Sequence, residues 1–395
     1  MLKIQEFINC FDDINEANKY LKQNLNIESV LHMDEQVILY RAGLHADMSN
    51  PIVRETHCLV LDVEGDVMGK AWNYPHVVNS YKELPPGFNF ISSVIAEDLP
   101  DGEIIVVYNI EGKWIIGTRD HASGKKYFPG MDLPGFTFEH EVKAMLAKRF
   151  NSWDKPFENV NPMICFIFSY VNPYLKCVMP VISPQLFLMA VINLENGEEL
   201  SHTAVQGQAI KMGFELPKWS EINGVTSLNF RLDSLRALCP GIMLRDKAGQ
   251  RVVITNPIHE AIKDALEAGN RVCPTHMANI LNACRDKADV TAIRATYRDY
   301  GPMLELLWNC RIELWQELLT LWKTAETIEN LKEFAVTIQY HPLNYILFKF
   351  RDKLISNIKD EVEIIKPRKL VTLTKERWER EFAAASEQLK YAGGS

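Results

Sequence analysis

The stretch Val94-Ile95-Ala96-Glu97-Asp98-Leu99-Pro100-Asp101-Gly102-Glu103-Ile104-Ile105 decides how the first half of this chain is read. An apolar run leads into a turn built on Leu99-Pro100-Asp101-Gly102, and a second apolar run leads out, the pattern of a strand, a loop and a strand. Just beyond it, Ile104 to Tyr108 and Trp114 to Thr118 flank Asn109-Ile110-Glu111-Gly112-Lys113, which reads as a hairpin. No lysine or arginine occurs between Lys82 and Lys113, so the loop carries carboxylates and no cation.

Working outward, further strand signals lie at Gln36 to Arg41, at Cys58 to Asp62, and at Val67 to Trp72 across the turn Glu64-Gly65-Asp66. Met163 to Tyr170 and Leu186 to Asn193 are continuous apolar runs that fit buried strands, and Arg251 to Thr255 is a shorter one. Residues 1–25 read as a helix with Phe7, Ile8, Phe11, Ile14, Ala17 and Leu21 on one face, and Glu139 to Phe150 as another. The character changes near Asn256-Pro257. From Ile258 the apolar spacing is helical, strongest from Met303 to Trp322, with a break at His341-Pro342 and a strand-like signal only at Glu361 to Ile365. The expectation is a mixed domain over 1–257 and a helical C-terminal domain over 258–395.

Composition bounds the function. The chain has 395 residues, 47% hydrophobic and 24% charged, which is globular and argues against disorder. No apolar run is long enough to span a bilayer, and the N-terminus lacks the regions of a signal peptide, so no membrane is expected. The eight cysteines are scattered without a Cys-x-x-Cys pair, as expected for free thiols in a reducing cytoplasm. The ten histidines show no ligand spacing, so no metal site is expected. A formal net charge of −8 speaks against nonspecific nucleic-acid binding over the whole surface, while leaving room for a local basic groove.

The order of these segments resembles the phage-type RNA ligase family, the RNA ligase 1 branch of the covalent nucleotidyltransferases. Glu55-Thr56-His57-Cys58 is similar to its Glu-Cys-Arg-Gly, and Val77-Val78-Asn79-Ser80-Tyr81-Lys82-Glu83 to its Phe-Phe-Asn-x-x-Glu. Leu99-Pro100-Asp101-Gly102 stands where the family has Lys-x-Asp-Gly, and Thr118-Arg119-Asp120-His121 where it has Thr-Arg-Gly-Ser. Phe166 to Pro173 resembles Phe-Glu-Tyr-Val-x-Pro with Ser169 for the glutamate, and Lys176 falls near the usual arginine. Pro240-Gly241-Ile242-Met243 resembles Glu-Gly-x-Val, and Val253-Ile254-Thr255 the final Lys-x-Lys.

The resemblance implies an α+β fold: a nucleotidyltransferase (ATP-grasp-like ligase) domain of antiparallel sheets with helices, plus an all-α C-terminal domain. It also implies a lost reaction. The family's lysine attacks the α-phosphate of ATP, and a leucine at 99 has no lone pair to do so. Asp101 and Gly102 remain. Ser169 is a weaker ligand for a hard cation than the carboxylate it replaces, and the Pro240 side chain is none. Val253 and Thr255 cannot neutralise charge on a triphosphate as paired lysines do, a loss of several kcal/mol in comparable sites. Five losses at chemically required positions, inside a retained apolar framework, describe a dead site on a living fold. No cofactor is expected, with ATP and magnesium relevant only if ligase activity survives.

Other residues invite sharper readings that the bland ones outweigh. Lys113 is the nearest substitute nucleophile but reads as a solvated hairpin lysine. Glu97, Asp98 and Asp101 suggest a metal set and equally a charged loop. Asp120 and His121 suggest a base and its orienter, but neighbours on an extended segment point apart. Lys366, Arg368 and Lys369, with Lys375, Arg377 and Arg380 beyond, form the nucleic-acid candidate, set among Glu361, Glu363, Glu376, Glu379 and Glu381 as a salt-laced helix face would be. Trp308, Trp315 and Trp322 are spaced by sevens, as in a helix core or an assembly seam. Gly393-Gly394-Ser395 reads as a flexible end. The expected function is a pseudo-ligase that binds RNA, nucleotide or a protein partner, with oligomerisation through the helical domain. The competing readings are a viral structural protein (virion-associated) that uses the fold as scaffold, and an active ligase with a displaced nucleophile.

Overall fold

The computed structural model describes residues 1–88, 93–125, 127, 136–175, 178–269, 272–373 and 375. It divides into two compact units, one of residues 1–235 with 239–256, the other of 236–238 with 257–395. Among the described residues no helix is long and apolar enough to cross a membrane. Lys176, Arg377, Arg380, the glutamates from Glu376 onward and the glycine-serine tail lie outside the described residues.

The first unit is built from strands β1 (Ile27–His32), β2 (Val37–Ala42), β3 (Leu59–Asp62), β4 (Val67–Gly69), β5 (His76–Val78), β6 (Val94–Asp98), β7 (Glu103–Ile110), β8 (Lys113–Thr118), β9 (Ile164–Val171), β10 (Gln185–Asn193), β11 (Trp219–Ile222), β12 (Gly241–Arg245) and β13 (Arg251–Thr255). They form three sheets, ordered β1-β2-β3-β4, β10-β9-β7-β8 and β11-β6-β12-β13-β5. Pairing is antiparallel except for β13 with β5. Helices α1 (Lys3–Ile8), α2 (Ile14–Leu25), α3 (Pro51–Glu55), α4 (Phe138–Phe150), α5 (His202–Met212) and α6 (Val225–Asp233) belong to this unit. The expected α+β class is what the chain adopts.

Strand β9 shows why its sequence is apolar throughout. Phe166, Phe168 and Tyr170 face a core that includes Val142 and Leu146 of α4 and Val205 and Ala209 of α5. Cys165 and Ile167 face the opposite way, into a core shared with Leu39 and Val60 of the first sheet and Met243 and Val253 of the third. A central strand covered on both sides reads as a run rather than an alternation. The third sheet likewise buries Ala96, Ile242, Leu244, Val252 and Ile254 against Leu228 of α6, which leaves Met243 and Val253 for the other face. The site positions lie on that second face.

The second unit holds α7 (Pro257–Glu267), α8 (Pro274–Ala283), α9 (Lys287–Thr296), α10 (Gly301–Ala325), α11 (Leu331–Ile338), α12 (Asn344–Arg351) and α13 (Ile358–Glu363). Helix α10 packs against α8, α9, α11, α12 and α13. Its buried stripe runs Leu304, Leu307, Arg311, Leu314 and Leu318, the spacing of one helical face, with an arginine inside it. Two expectations change. Residues 1–25 form two helices, because the second starts afresh at Asp13, whose carboxylate accepts from the Asn15 amide at 2.9 Å. Glu361 to Ile365 is no strand: Asn357 caps α13 by accepting from the Lys359 amide at 2.9 Å. Ile358, Val362 and Ile365 are buried while Ile364 is exposed, which is helical and not alternating burial.

Candidate functional site

The loop after β6 is fastened by the backbone. The Leu99 amide donates to the Gly241 carbonyl at 3.0 Å, which brings position 99 beside the start of β12. Its half-buried side chain joins an apolar cluster with Ile104, Phe187, Met243 and Val253. Ser169 pairs across the sheet with Ile104 on one side and Phe187 on the other, and is only 2% exposed. Its hydroxyl has no hydrogen-bond partner among the described residues. The structure therefore gathers Leu99, Ser169 and Val253 around one apolar interior. These three side chains themselves offer a triphosphate no positive charge and a divalent cation no carboxylate.

Pro240 and Thr255 sit at the open end of the β12–β13 hairpin. The Pro240 carbonyl accepts from the Asn256 amide at 2.8 Å, and the Asn256 side chain donates to the Cys239 carbonyl at 2.9 Å. The Thr255 hydroxyl donates to Asn79 at 3.0 Å, and the Asn79 amide donates to Glu83 at 3.2 Å. Gly241 has φ +153°, and a Cβ there would lie 2.2 Å from the Ile254 carbonyl oxygen, so only glycine closes the hairpin here.

The two residues retained from the lysine motif serve architecture. One Asp101 carboxylate oxygen accepts from the amides of Val178 and Met179, the latter at 3.0 Å. A Cβ on Gly102 would lie 2.4 Å from the Tyr170 carbonyl oxygen, so the loop needs glycine to lie against β9. The carboxylates beside them diverge. Asp98 pairs with Arg231, and Glu97 is buried 3.3 Å from the Nδ1 of His202. Among the described residues no group of three or more histidine, cysteine, aspartate or glutamate side chains is placed to hold a metal ion.

The remaining candidates separate similarly. Glu55 accepts from the Ile4 amide at 3.1 Å, and burial raises its pKa. His57 stacks on Tyr74 at 4.3 Å and donates through Nδ1 to the Trp72 carbonyl at 3.0 Å. Burial pulls its pKa down to about 4, so the imidazole is neutral where the resemblance places a permanent cation. Asp120 turns to Arg41 at 3.0 Å, whereas His121 lies against His32 at 4.4 Å between ring centres and against Ser123. Lys113 is exposed and pairs with Ile110, at the end of the β7–β8 hairpin away from Leu99. Arg368 and Lys369 are exposed on a helical segment and Lys366 is exposed just before it, with the Lys369 ammonium 4.5 Å from the Tyr345 ring centre. Glu361 and Glu363 pair instead with Lys349 at 3.0 Å and Lys359 at 3.5 Å. Trp322 packs edge-on to Phe350 at 4.8 Å, while Trp308 and Trp315 line a cavity of about 230 Å³ within the helical unit.

Sequence reasoning passed over an ionic cluster. Arg245 and Arg251 face each other across the β12–β13 hairpin, both buried, and both bind Glu199, Arg245 at 2.8 Å. The Arg251 guanidinium lies 4.6 Å from the Trp72 ring centre. Lys70 is also buried, 6% exposed, and burial lowers its pKa. The available signal was parity: Arg245 and Arg251 share strand alternation with inward-facing Met243 and Val253.

No family model and no curated protein matches the chain. Solved structures do. An archaeal ATP-dependent RNA ligase is similar over 77% of this chain and 79% of its own, at 12% identity and a TM-score of 0.46. A putative ATP-dependent DNA ligase from Aquifex aeolicus is similar over 76% of this chain and 81% of its own, at 12% identity and 0.43. An RNA ligase from Naegleria gruberi, solved with PPi, covers 46% of this chain and 53% of its own, at 9% identity and 0.33. At identities and scores this low, no residue role is carried across.

Proposed function

We propose that this chain is a catalytically inactive relative of the phage-type RNA ligases, and that it acts by binding RNA, nucleotide or a protein partner. The observation that carries this reading is the apolar packing of Leu99 with Met243 and Val253 beside an unpartnered Ser169. A lysine at 99 alone would leave Ser169, Pro240, Val253 and Thr255 in place, none of them a carboxylate or a cation. One observation favours a second reading, an active enzyme with a displaced nucleophile. Lys70 is a buried lysine of lowered pKa, the condition that activates an amine, and a better candidate than exposed Lys113.

Incubation with α-labelled ATP and magnesium or manganese, followed by denaturing gel and mass spectrometry, tests both. No adduct is expected on the wild-type chain, and none on Leu99→Lys. Robust labelling of Leu99→Lys would show that the rest of the site still works and would sink the proposal. An adduct mapped to Lys70 would establish the displaced nucleophile.

A further inference from the structure

At the turn end of the β12–β13 hairpin, opposite Gly241 and Thr255, the ionic cluster borders a cavity of about 590 Å³. That volume lies within the range of roughly 300–1,000 Å³ typical of small-ligand sites. Its lining is unbalanced in charge. Arg54, Lys70, Arg245, Lys247 and Arg251 face only two carboxylates, Glu198 and Glu199. Glu199 is already shared between Arg245 and Arg251. Arg54 donates to neutral groups, the Tyr74 carbonyl at 2.9 Å and His76 at 2.8 Å. Lys70 is buried and forms no direct ion pair among the described residues, with Glu55 and Glu199 acting on it only at longer range. Two of the lining side chains, Trp72 and Arg251, are 6% and 2% exposed and each keep a polar nitrogen with no hydrogen-bond partner among the described residues.

Buried cations of one sign repel each other, and the interior dielectric magnifies that repulsion. A bound anion removes it and supplies acceptors for the orphaned donors. Guanidinium and ammonium groups together match the oxygens of phosphate. We propose that this cavity binds a phosphate-bearing small molecule. Lys70 and Arg54 provide uncommitted charge, Arg245 and Arg251 are held in place by Glu199, and exposed Lys247 stands at the rim. The site lies at the opposite end of the β12–β13 hairpin from Gly241 and shares Trp72 with the apolar cluster around Leu99 and Val253, and its occupation by a phosphate does not depend on whether the chain transfers nucleotide.

Calorimetric titration of the full chain at low salt without divalent metal, with inorganic pyrophosphate and separately with ATP, tests this. Saturable binding of at least one is expected. Charge reversal at Lys247→Glu, a solvent-exposed position, is expected to weaken it about tenfold or more, and Lys70→Met to weaken it likewise. Lys113→Glu, equally exposed but outside the cavity, is expected to leave it unchanged. ATP binding tightly where pyrophosphate binds weakly would assign a nucleotide, and equal affinities would assign the phosphate groups alone. Absence of saturable heat with both probes, or a loss in Lys113→Glu as large as in Lys247→Glu, would overturn the proposal. Pyrophosphate has no nucleotide to transfer, so this result is independent of the adenylylation test.

Discussion

His57 is charged or neutral according to its surroundings, and here they make it neutral. Buried beside Trp72 and Tyr74, it has its pKa pulled from 6.5 to about 4 by desolvation. The unfolded chain therefore binds the proton more readily than the folded one between these values. Stability from this group is complete above pH 6.5, falls as the pH drops below it, and is lost as the pH passes through about 4. His57→Gln keeps a donor for the Trp72 carbonyl and cannot titrate. Urea denaturation of both proteins at steps across this window is expected to show a shallower decline in the variant. Equal slopes would mean that His57 contributes nothing to acid sensitivity. Other histidines, His32, His76, His121 and His341, are also lowered, so only the difference between the two proteins isolates His57.

At the scale of elements, the loop between β6 and β7 is held on both sides. Asp101 ties it to the backbone at 178–179, and Gly102 lies against β9. Gly102→Ala forces a methyl group into the Tyr170 carbonyl, a rigid backbone contact, and overpacking of this kind costs about 1–3 kcal/mol. Chemical denaturation is expected to show that loss, and an unchanged midpoint would refute the tight approach. The retained Asp-Gly pair thus has an architectural reason to be here, one that needs no surviving catalysis. Element type was readable where burial had a single period, as in α4 and the β7–β8 hairpin. It failed at Glu361 to Ile365, where two isoleucines and a valine among glutamates imitate a strand over so short a span. There the Asn357 cap and the packing of Ile358, Val362 and Ile365 decide.

At the scale of the whole molecule, charge would limit how any RNA is held. A chain with a net charge of −8 repels a polyanion, so binding has to be local, and the exposed Lys366, Arg368 and Lys369 are the candidate contacts. Three phosphate contacts on a single strand correspond to a slope of about −2 in log affinity against log salt. Fluorescence anisotropy with single-stranded RNA is expected to show that slope, and its loss when all three are changed to glutamate. Salt-insensitive or undetectable binding would remove RNA from the proposed partners. The sequence by itself determined that a domain of mixed strands and helices is followed by a helical one, because hydrophobic period is a local property that survives without tertiary context. It also determined that Leu99 cannot attack a phosphate, because that follows from the side chain alone. Only the tertiary structure decided what the vacated positions do. Leu99, Ser169 and Val253 belong to three strands or loops far apart in the chain, and the packing of the sheet that holds β9 against the sheet that holds β6 and β13 is what collects them into one apolar interior. The same holds for Lys70, Glu199, Arg245 and Arg251, whose charges mean little singly. Their placement together in the low dielectric of a buried cavity edge gives them a common electrostatic need, and no local pattern encodes that proximity.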